Sequence, residues 1–305
     1  MAWGDGLRKL GLVSLGCLHM CIDLSGNGVK GVWFNEGPAA PFDVLWRNRH
    51  LIFALAQREF LARYRSNIFG VLWSLLVPLT MLVIYTIVFA YIFPSRWASS
   101  AMQLQKENVF PLLLFSGLLL FALFAEPVTR APRLVLDNAN YVMNMRFPVE
   151  IFPWVAVCAA VINFLLGNAV FFLVYFFIIG LPPVTSLFLP LVAFPILLFA
   201  VGISWLLASL GVYFRDVGQI VGPVTSALIF LSPVFYPIGA LPEKFRFLFY
   251  FNPLTPVLEM AKDCIFWGRL PDFPVLIFYI MLGWMVAWLG YNWFRKTQEG
   301  FADVI

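Results

Sequence analysis

Between Ile68 and Phe93 the chain runs for 26 residues without a single charge. As a helix rising 1.5 Å per residue, such a run reaches about 39 Å, enough to cross a hydrocarbon core of ~30 Å with some tilt. Immediately before it stands a cationic, aromatic stretch, LWRNRHLIFALAQREFLARYRSN, from Leu45 to Asn67. Lysine and arginine beside a span stay on the cytoplasmic side, so this junction sets the orientation of every later loop.

The cationic half reads as an amphipathic interface helix. At 100° per residue Arg47, Arg58 and Arg65 share one stripe, and Phe53, Ala56, Phe60 and Tyr64 gather on the opposite side. Arg49 and Arg63 intrude on that apolar side, where long arginines reach toward headgroup phosphates. Pro78, in the middle of the first span, removes a backbone donor and is expected to kink the helix unless neighbours satisfy the freed carbonyl.

Composition agrees with a polytopic membrane protein: 62% of residues are hydrophobic and 12% charged, against about 25% charged in soluble domains. Mean hydropathy is +0.87. The formal net charge of +4 is no nucleic-acid signature, because the basic residues cluster beside apolar spans. No nucleic-acid partner is expected. The four cysteines (Cys17, Cys21, Cys158, Cys264) give no disulfide framework, and Cys17-x-His19-x-Cys21 lacks the further ligands a closed metal site needs. Residues 1–44 are read as a cytoplasmic leader. Arg8 and Lys9 before a nine-residue apolar run resemble a short signal-peptide core, but the basic segment at Arg47 to Arg65 has to stay inside.

Five more uncharged runs follow the first. They are Val109 to Ala125, stopped by Glu126-Pro127; Ile151 to Ile179; Val184 to Phe214, broken early by Pro190 and Pro195; Val217 to Leu241; and Phe273 to Phe294. Asn163 and Asn168 offer bonds between helices, and Gly180-Leu181-Pro182-Pro183 is a tight turn. Phe247 to Leu258 has only 12 uncharged residues and two prolines. It is too short to cross and reads as a surface pair of helices or a re-entrant element. Of the 20 lysines and arginines, six (Arg96, Lys106, Lys244, Arg246, Lys262, Arg269) fall outside and the other 14 inside. The expected fold is therefore an all-α integral membrane protein. It has six transmembrane helices, an amino-terminal interface helix, short outer gate helices between spans five and six, and both termini in the cytoplasm. Residues 45–296 form the transmembrane domain and 297–305 a short tail.

Four stretches carry a family resemblance. Arg58-Glu59-Phe60-Leu61-Ala62-Arg63-Tyr64-Arg65-Ser66 with Phe69-Gly70-Val71-Leu72-Trp73 and Pro78 comes first. Asn138-Ala139-Asn140 through Phe147-Pro148, Phe214-Arg215-Asp216-Val217-Gly218-Gln219 and Phe251-Asn252-Pro253-Leu254-Thr255-Pro256 follow in order. Together they resemble the permeases of ABC transporters that export lipid-linked polysaccharides such as O-antigen, capsule and teichoic acid. The resemblance spans about residues 45–296, and the leader inherits nothing from it.

The resemblance implies a transport subunit of the bacterial inner (plasma) membrane rather than an enzyme. It would work as a homodimer with the pore between two copies, and two separate ATPase subunits would bind ATP and magnesium. The chain itself has no Gly-x-x-x-x-Gly-Lys-[Ser/Thr] loop and is expected to carry no cofactor. The segment Asp137 to Arg146 would be the coupling helix that docks on the ATPase, with Asp137, Asn138, Tyr141, Met143, Met145 and Arg146 as its contact residues. Phe245 to Trp267 would be the outer gate helices. Arg215 and Asp216 would receive the phosphate-bearing head of the cargo, pair across the dimer at the inner mouth, or only mark a cytoplasmic turn.

Aromatics make up 18% of the chain. Tyr85, Phe89 and Tyr91 on the first span and Phe235 and Tyr236 on the fifth are candidates to line a sugar track, or they face lipid and neighbouring helices. Two alternatives stand beside this reading. A drug or small-lipid exporter of the ABC class shares the same helices. A secondary transporter usually needs an ionisable group inside the membrane, and none of the six runs holds one, though unwound backbone can also carry Na⁺.

Overall fold

The computed structural model describes residues 37–64, 69–88, 109–142, 147–236, 249 and 252–304. Among these residues every regular element is helical. We number the helices α1 Ala40–Arg47, α2 Arg49–Tyr64, α3 Trp73–Thr86, α4 Val109–Leu134, α5 Ala139–Val142, α6 Phe152–Ile178, α7 Leu189–Tyr213, α8 Val217–Phe230, α9 Leu254–Lys262, α10 Phe273–Gln298 and α11 Phe301–Val304. Four apolar segments are long enough to cross a membrane: Val109–Leu134, Val149–Ile178, Val184–Tyr213 and Phe273–Gln298. Gly70–Thr86 and Val217–Phe230 are apolar but shorter.

The centre of the bundle is α7, which packs on α10 and α4, while α4 also packs on α6. Small residues let α7 and α10 come close. A Cβ on Gly202 of α7 would meet the backbone of Val286 and Ala287 at 2.7 Å, inside van der Waals contact. In lipid, where burial between helices gains little from the hydrophobic effect, such backbone approach is the main source of helix association. Trp205, fully buried on α7, meets Trp154 of α6 and Tyr291 of α10 edge-on at 5.8 and 5.2 Å. Its indole N–H donates to the Glu150 carbonyl.

Several boundaries differ from those read off the charge pattern. The second span does not stop at Glu126-Pro127, because α4 continues through both Pro127 and Pro132 to Leu134. The Glu126 carboxylate is met by Arg63 and Asn163, so it interrupts hydrophobicity without ending the helix. The fourth run opens as a 3₁₀ turn, Val184–Phe188, and Pro190 lies in the first turn of α7, where its missing N–H costs nothing. It starts the helix rather than breaking it. The fifth helix ends at Phe230, well before Leu241, just ahead of Pro233, which cannot donate and disfavours helical backbone before it. Helix α3 passes through Pro78 from Trp73 to Thr86. Gly180, with φ +116°, makes the expected turn after α6.

The cationic stretch is two helices, not one. At Asn48 the backbone N–H and the side-chain amide both donate to the Val44 carbonyl, closing α1, and α2 starts one residue later. The buried face of α2 is Ile52, Ala56 and Phe60, packed on α6, whereas Phe53 is 61% exposed. Helix α1 begins inside the segment read as a leader. Phe42 stacks on Trp284 of α10 at 4.4 Å, and the indoles of Trp284 and Trp154 donate to the carbonyls of Pro38 and Pro41.

Candidate functional site

Towards the C-terminal end of α4 a line of alternating charges ties α2 to the bundle. Arg130 pairs with Glu59, Glu59 also meets Arg63 at 3.8 Å, and Arg63 pairs with Glu126. The Asn163 amide of α6 donates to both Glu126 oxygens at 3.0 Å. Arg63 therefore sits on the apolar side of α2 to reach the half-buried Glu126 carboxylate, not to reach a lipid headgroup. Burial pushes the neighbouring Tyr64 phenol above its ordinary value, with the Arg63 cation lowering it and Glu126 raising it. Asn168, the other asparagine singled out in the sequence, bonds instead to its own helix at the Phe164 carbonyl.

Beside this ladder lies a cavity of about 530 Å³. Arg58 and Glu59 of α2 form one wall and Arg130 and Arg133 of α4 another, with Asp137 and Asn138 at the floor. Leu55, Phe152 and Val155 supply an apolar side, and Gly218 of α8 also lines the space. Arg133 is exposed and makes no ion pair or hydrogen bond among the described residues. These arginines went unnoticed as a group in the sequence, since α2 and α4 are far apart along the chain.

The expected coupling segment follows directly. Asn138 donates to the Leu134 carbonyl and caps α4, a 3₁₀ turn covers Leu136–Asn138, and α5 adds one helical turn. Asp137 is exposed. Tyr141 is half-buried within its own chain, its ring 4.8 Å from Phe147 and 6.4 Å from Phe152. Its hydroxyl accepts from Arg58 at 3.3 Å. Met143, Met145 and Arg146 lie outside the described residues. Arg215 and Asp216 are exposed in the short turn between α7 and α8.

At the opposite end, α9 closes on the end of α8. The Asn252 amide donates to the Leu231 carbonyl and the Ser232 hydroxyl at 3.2 and 2.9 Å, and its oxygen accepts from the Leu254 N–H. Lys262, at the other end of α9, is buried and donates to the carbonyls of Pro233 and Val234. Lys262, counted among the exterior residues by charge, is therefore packed within the protein rather than exposed on a loop. The following π-helical turn, Asp263–Trp267, is held by Tyr175 of α6 through the Ile265 carbonyl and by Thr185 through that of Cys264. This element is buried against α7 and α4.

Of the candidate track aromatics, Tyr85 is half-buried against the core. Phe89 and Tyr91 lie outside the described residues. Phe235 stacks on Phe230 at 5.6 Å, and Tyr236 donates to the Phe230 carbonyl while its ring meets Phe249 edge-on at 5.8 Å. These two rings fold back on the end of α8.

Comparison with known proteins matches residues 50–266 to the ABC-2 type transporter family. The chain is 25% identical to the O-antigen export system permease protein RfbA of Myxococcus xanthus over 265 residues, covering 86% of this chain and 97% of that protein. It is 23% identical to the polysialic acid transport protein KpsM of Escherichia coli over 81% of this chain and 93% of that one. Identity to the capsule polysaccharide export inner-membrane protein CtrC of Neisseria meningitidis serogroup B is 22%, over 83% and 92%. The matched region takes in the charge ladder, the cavity, the segment from Asp137 to Arg146 and helix α9, and the chain belongs to the ABC-2 type transporter family.

Proposed function

We propose that this chain is the permease subunit of an exporter that moves lipid-linked polysaccharide across the bacterial inner membrane. One observation carries the reading: relatives named for O-antigen, polysialic acid and capsule export align with it over more than nine-tenths of their lengths. The energy comes from ATP and magnesium on a separate ATPase subunit. In this reading α3 and α8 complete a set of six spans with both termini inside. Their outward apolar faces, with Val77, Met81 and Ile84 on α3 and Ile220 and Val224 on α8 exposed, support a pore between two copies.

Asp137 to Arg146 is the element that docks on the ATPase, supported by its polar character and its place just past a long apolar helix. Arg215 and Asp216 stand at the inner mouth, where they meet the anionic head of the cargo or pair across the two copies. Helix α9 with the π-helical turn after it is the outer gate. Tyr85, Phe89 and Tyr91 with Phe235 and Tyr236 supply flat faces on which sugar rings slide through repeated weak contacts.

The experiment is deletion of the gene with complementation in trans. Surface polysaccharide, assayed by gel and by antibody on intact cells, is expected to vanish while polymer accumulates inside, and to return with the complementing copy. Wild-type surface polymer in the deletion strain overturns the reading.

A further inference from the structure

We propose that the 530 Å³ cavity between α2 and α4 seats the phosphate of a lipid headgroup from the cytoplasmic leaflet, with Arg58 and Arg133 as its ligands. The inference rests on the export reading for which lipid arrives, and on the cavity's own chemistry for the rest.

Charge bookkeeping is the first support. Arg130, Glu59, Arg63 and Glu126 neutralise one another along the ladder. What remains on the cavity is Arg58 and Arg133 against one carboxylate, Asp137, so a cationic surplus faces the open space. Arginine presents a planar fork that fits a phosphate with two parallel hydrogen bonds. Arg58 spends one N–H on Tyr141, leaving the rest of its fork free of any partner among the described residues.

Depth is the second support. The apolar part of α4 ends at Ala125. At 1.5 Å per residue Arg130 stands roughly 7 Å beyond it and Arg133 roughly 12 Å. The headgroup layer adds about 5–7 Å to each side of the hydrocarbon core, which puts the cavity at the level of lipid phosphates and just beneath them. Shape is the third. Leu55, Phe152 and Val155 form an apolar side next to the arginines, as a group with a charged head and a hydrocarbon stem requires. The space is ample for one or two phosphate groups. Gly218 lies beside Arg133: a Cβ there would stand 3.9 Å from the Arg133 Nε.

The site differs from the Arg215-Asp216 turn, whose residues do not line the cavity. Occupancy would also be felt at the coupling segment, because the cavity floor is Asp137 and Asn138 and the Arg58 wall bonds to Tyr141.

The test uses the full-length chain with its partner ATPase, carried in nanodiscs of neutral phosphatidylcholine. Three probes are added separately: a polyprenyl diphosphate, phosphatidylglycerol and inorganic pyrophosphate. Native mass spectrometry counts what each complex retains. The wild type is expected to retain a phosphate-bearing lipid. R58Q/R133Q is expected to retain at least about tenfold less, the loss of one or more charge-assisted hydrogen bonds, and R133K an intermediate amount.

Both arginines lie outside the ladder, so folding should survive, and unchanged thermal unfolding of the complex checks this. Equal lipid retention by wild type and R58Q/R133Q overturns the proposal. Displacement of the lipid by equimolar inorganic pyrophosphate makes the cavity a free-anion site and also overturns it. So does loss of the ATPase from R58Q/R133Q with lipid retained, since an acidic segment of the ATPase would then be the occupant. Polymer export is not read in this experiment, so lipid binding fails or stands separately from the deletion result.

Discussion

Arg63 shows how one side chain can defeat a periodicity argument. By helical angle it belongs among the apolar residues of α2, and a lone arginine there invites a snorkelling explanation. Its partners, Glu59 and Glu126, come from one turn back and from another helix. Taking such charges from water costs several kcal/mol per ion when burial is complete, and pairing has to offset it. Here the side chains keep 22–30% of their surface exposed, so the cost and the gain are both smaller. E126Q removes the charge while keeping one acceptor for Asn163. It is expected to lower stability by about 1–2 kcal/mol, because Arg63 is left without its main counter-charge. R63M/E126L should recover most of that, since an apolar pair leaves no orphaned ion. The check is thermal unfolding of the single and double variants in one detergent, treated as a double-mutant cycle. Equal apparent Tm for E126Q and wild type would show that the ladder carries no net stability.

At the scale of elements, much of the fold was legible because lipid forbids most alternatives. Charge-free runs of span length located four long helices, and the turn at Gly180 could be named from residue type. Helix ends were less legible. Glu126-Pro127 looks like a stop, and nothing local shows that Arg63 and Asn163 wait to receive the carboxylate. The opposite error came at Pro233, where continuing hydrophobicity hid the end of α8. The burial of Lys262 was equally hidden: a lysine between short apolar stretches reads as solvated, while two backbone carbonyls just past the end of α8 hold it in the packed protein.

The asparagine of Asn252-Pro253 is the other half of the same clamp. Its three hydrogen bonds join the first turn of α9 to the last of α8. With each net bond worth about 1 kcal/mol, N252A is expected to cost about 2–3 kcal/mol locally and let α9 move. If α9 closes the pore outside, liposomes containing the N252A complex should leak a small charged dye that the wild type retains. A tight N252A vesicle with a normally folded protein would show that α9 is packing and not a gate.

Across the whole molecule, one hydrogen bond joins α2 to α5, and in the export reading proposed above it links the motor to the cargo entrance. Arg58, on a wall of the cavity, donates to the hydroxyl of Tyr141 on the coupling segment. The Tyr141 ring is fixed by Phe147 and Phe152, which lead straight into α6, the second long helix. If Asp137 to Arg146 docks on the ATPase, a push on it would reach both α6, through the ring, and α2, through the hydroxyl. The two routes can be separated. Tyr141→Phe keeps the ring and its packing but cuts the tie to Arg58. Tyr141→Asp also strips the ring and buries a charge beside Phe147.

For Tyr141→Phe, basal ATP hydrolysis and protein level are expected to stay at wild-type values, while export per ATP hydrolysed falls about fivefold, the equivalent of one hydrogen bond of about 1 kcal/mol. For Tyr141→Asp both assembly and export should fail. Measuring surface polymer and ATPase activity on the two variants side by side reads the split. If Tyr141→Phe exports as much polymer per ATP as the wild type, the hydroxyl tie transmits nothing, and movement passes through the packed rings into α6 alone.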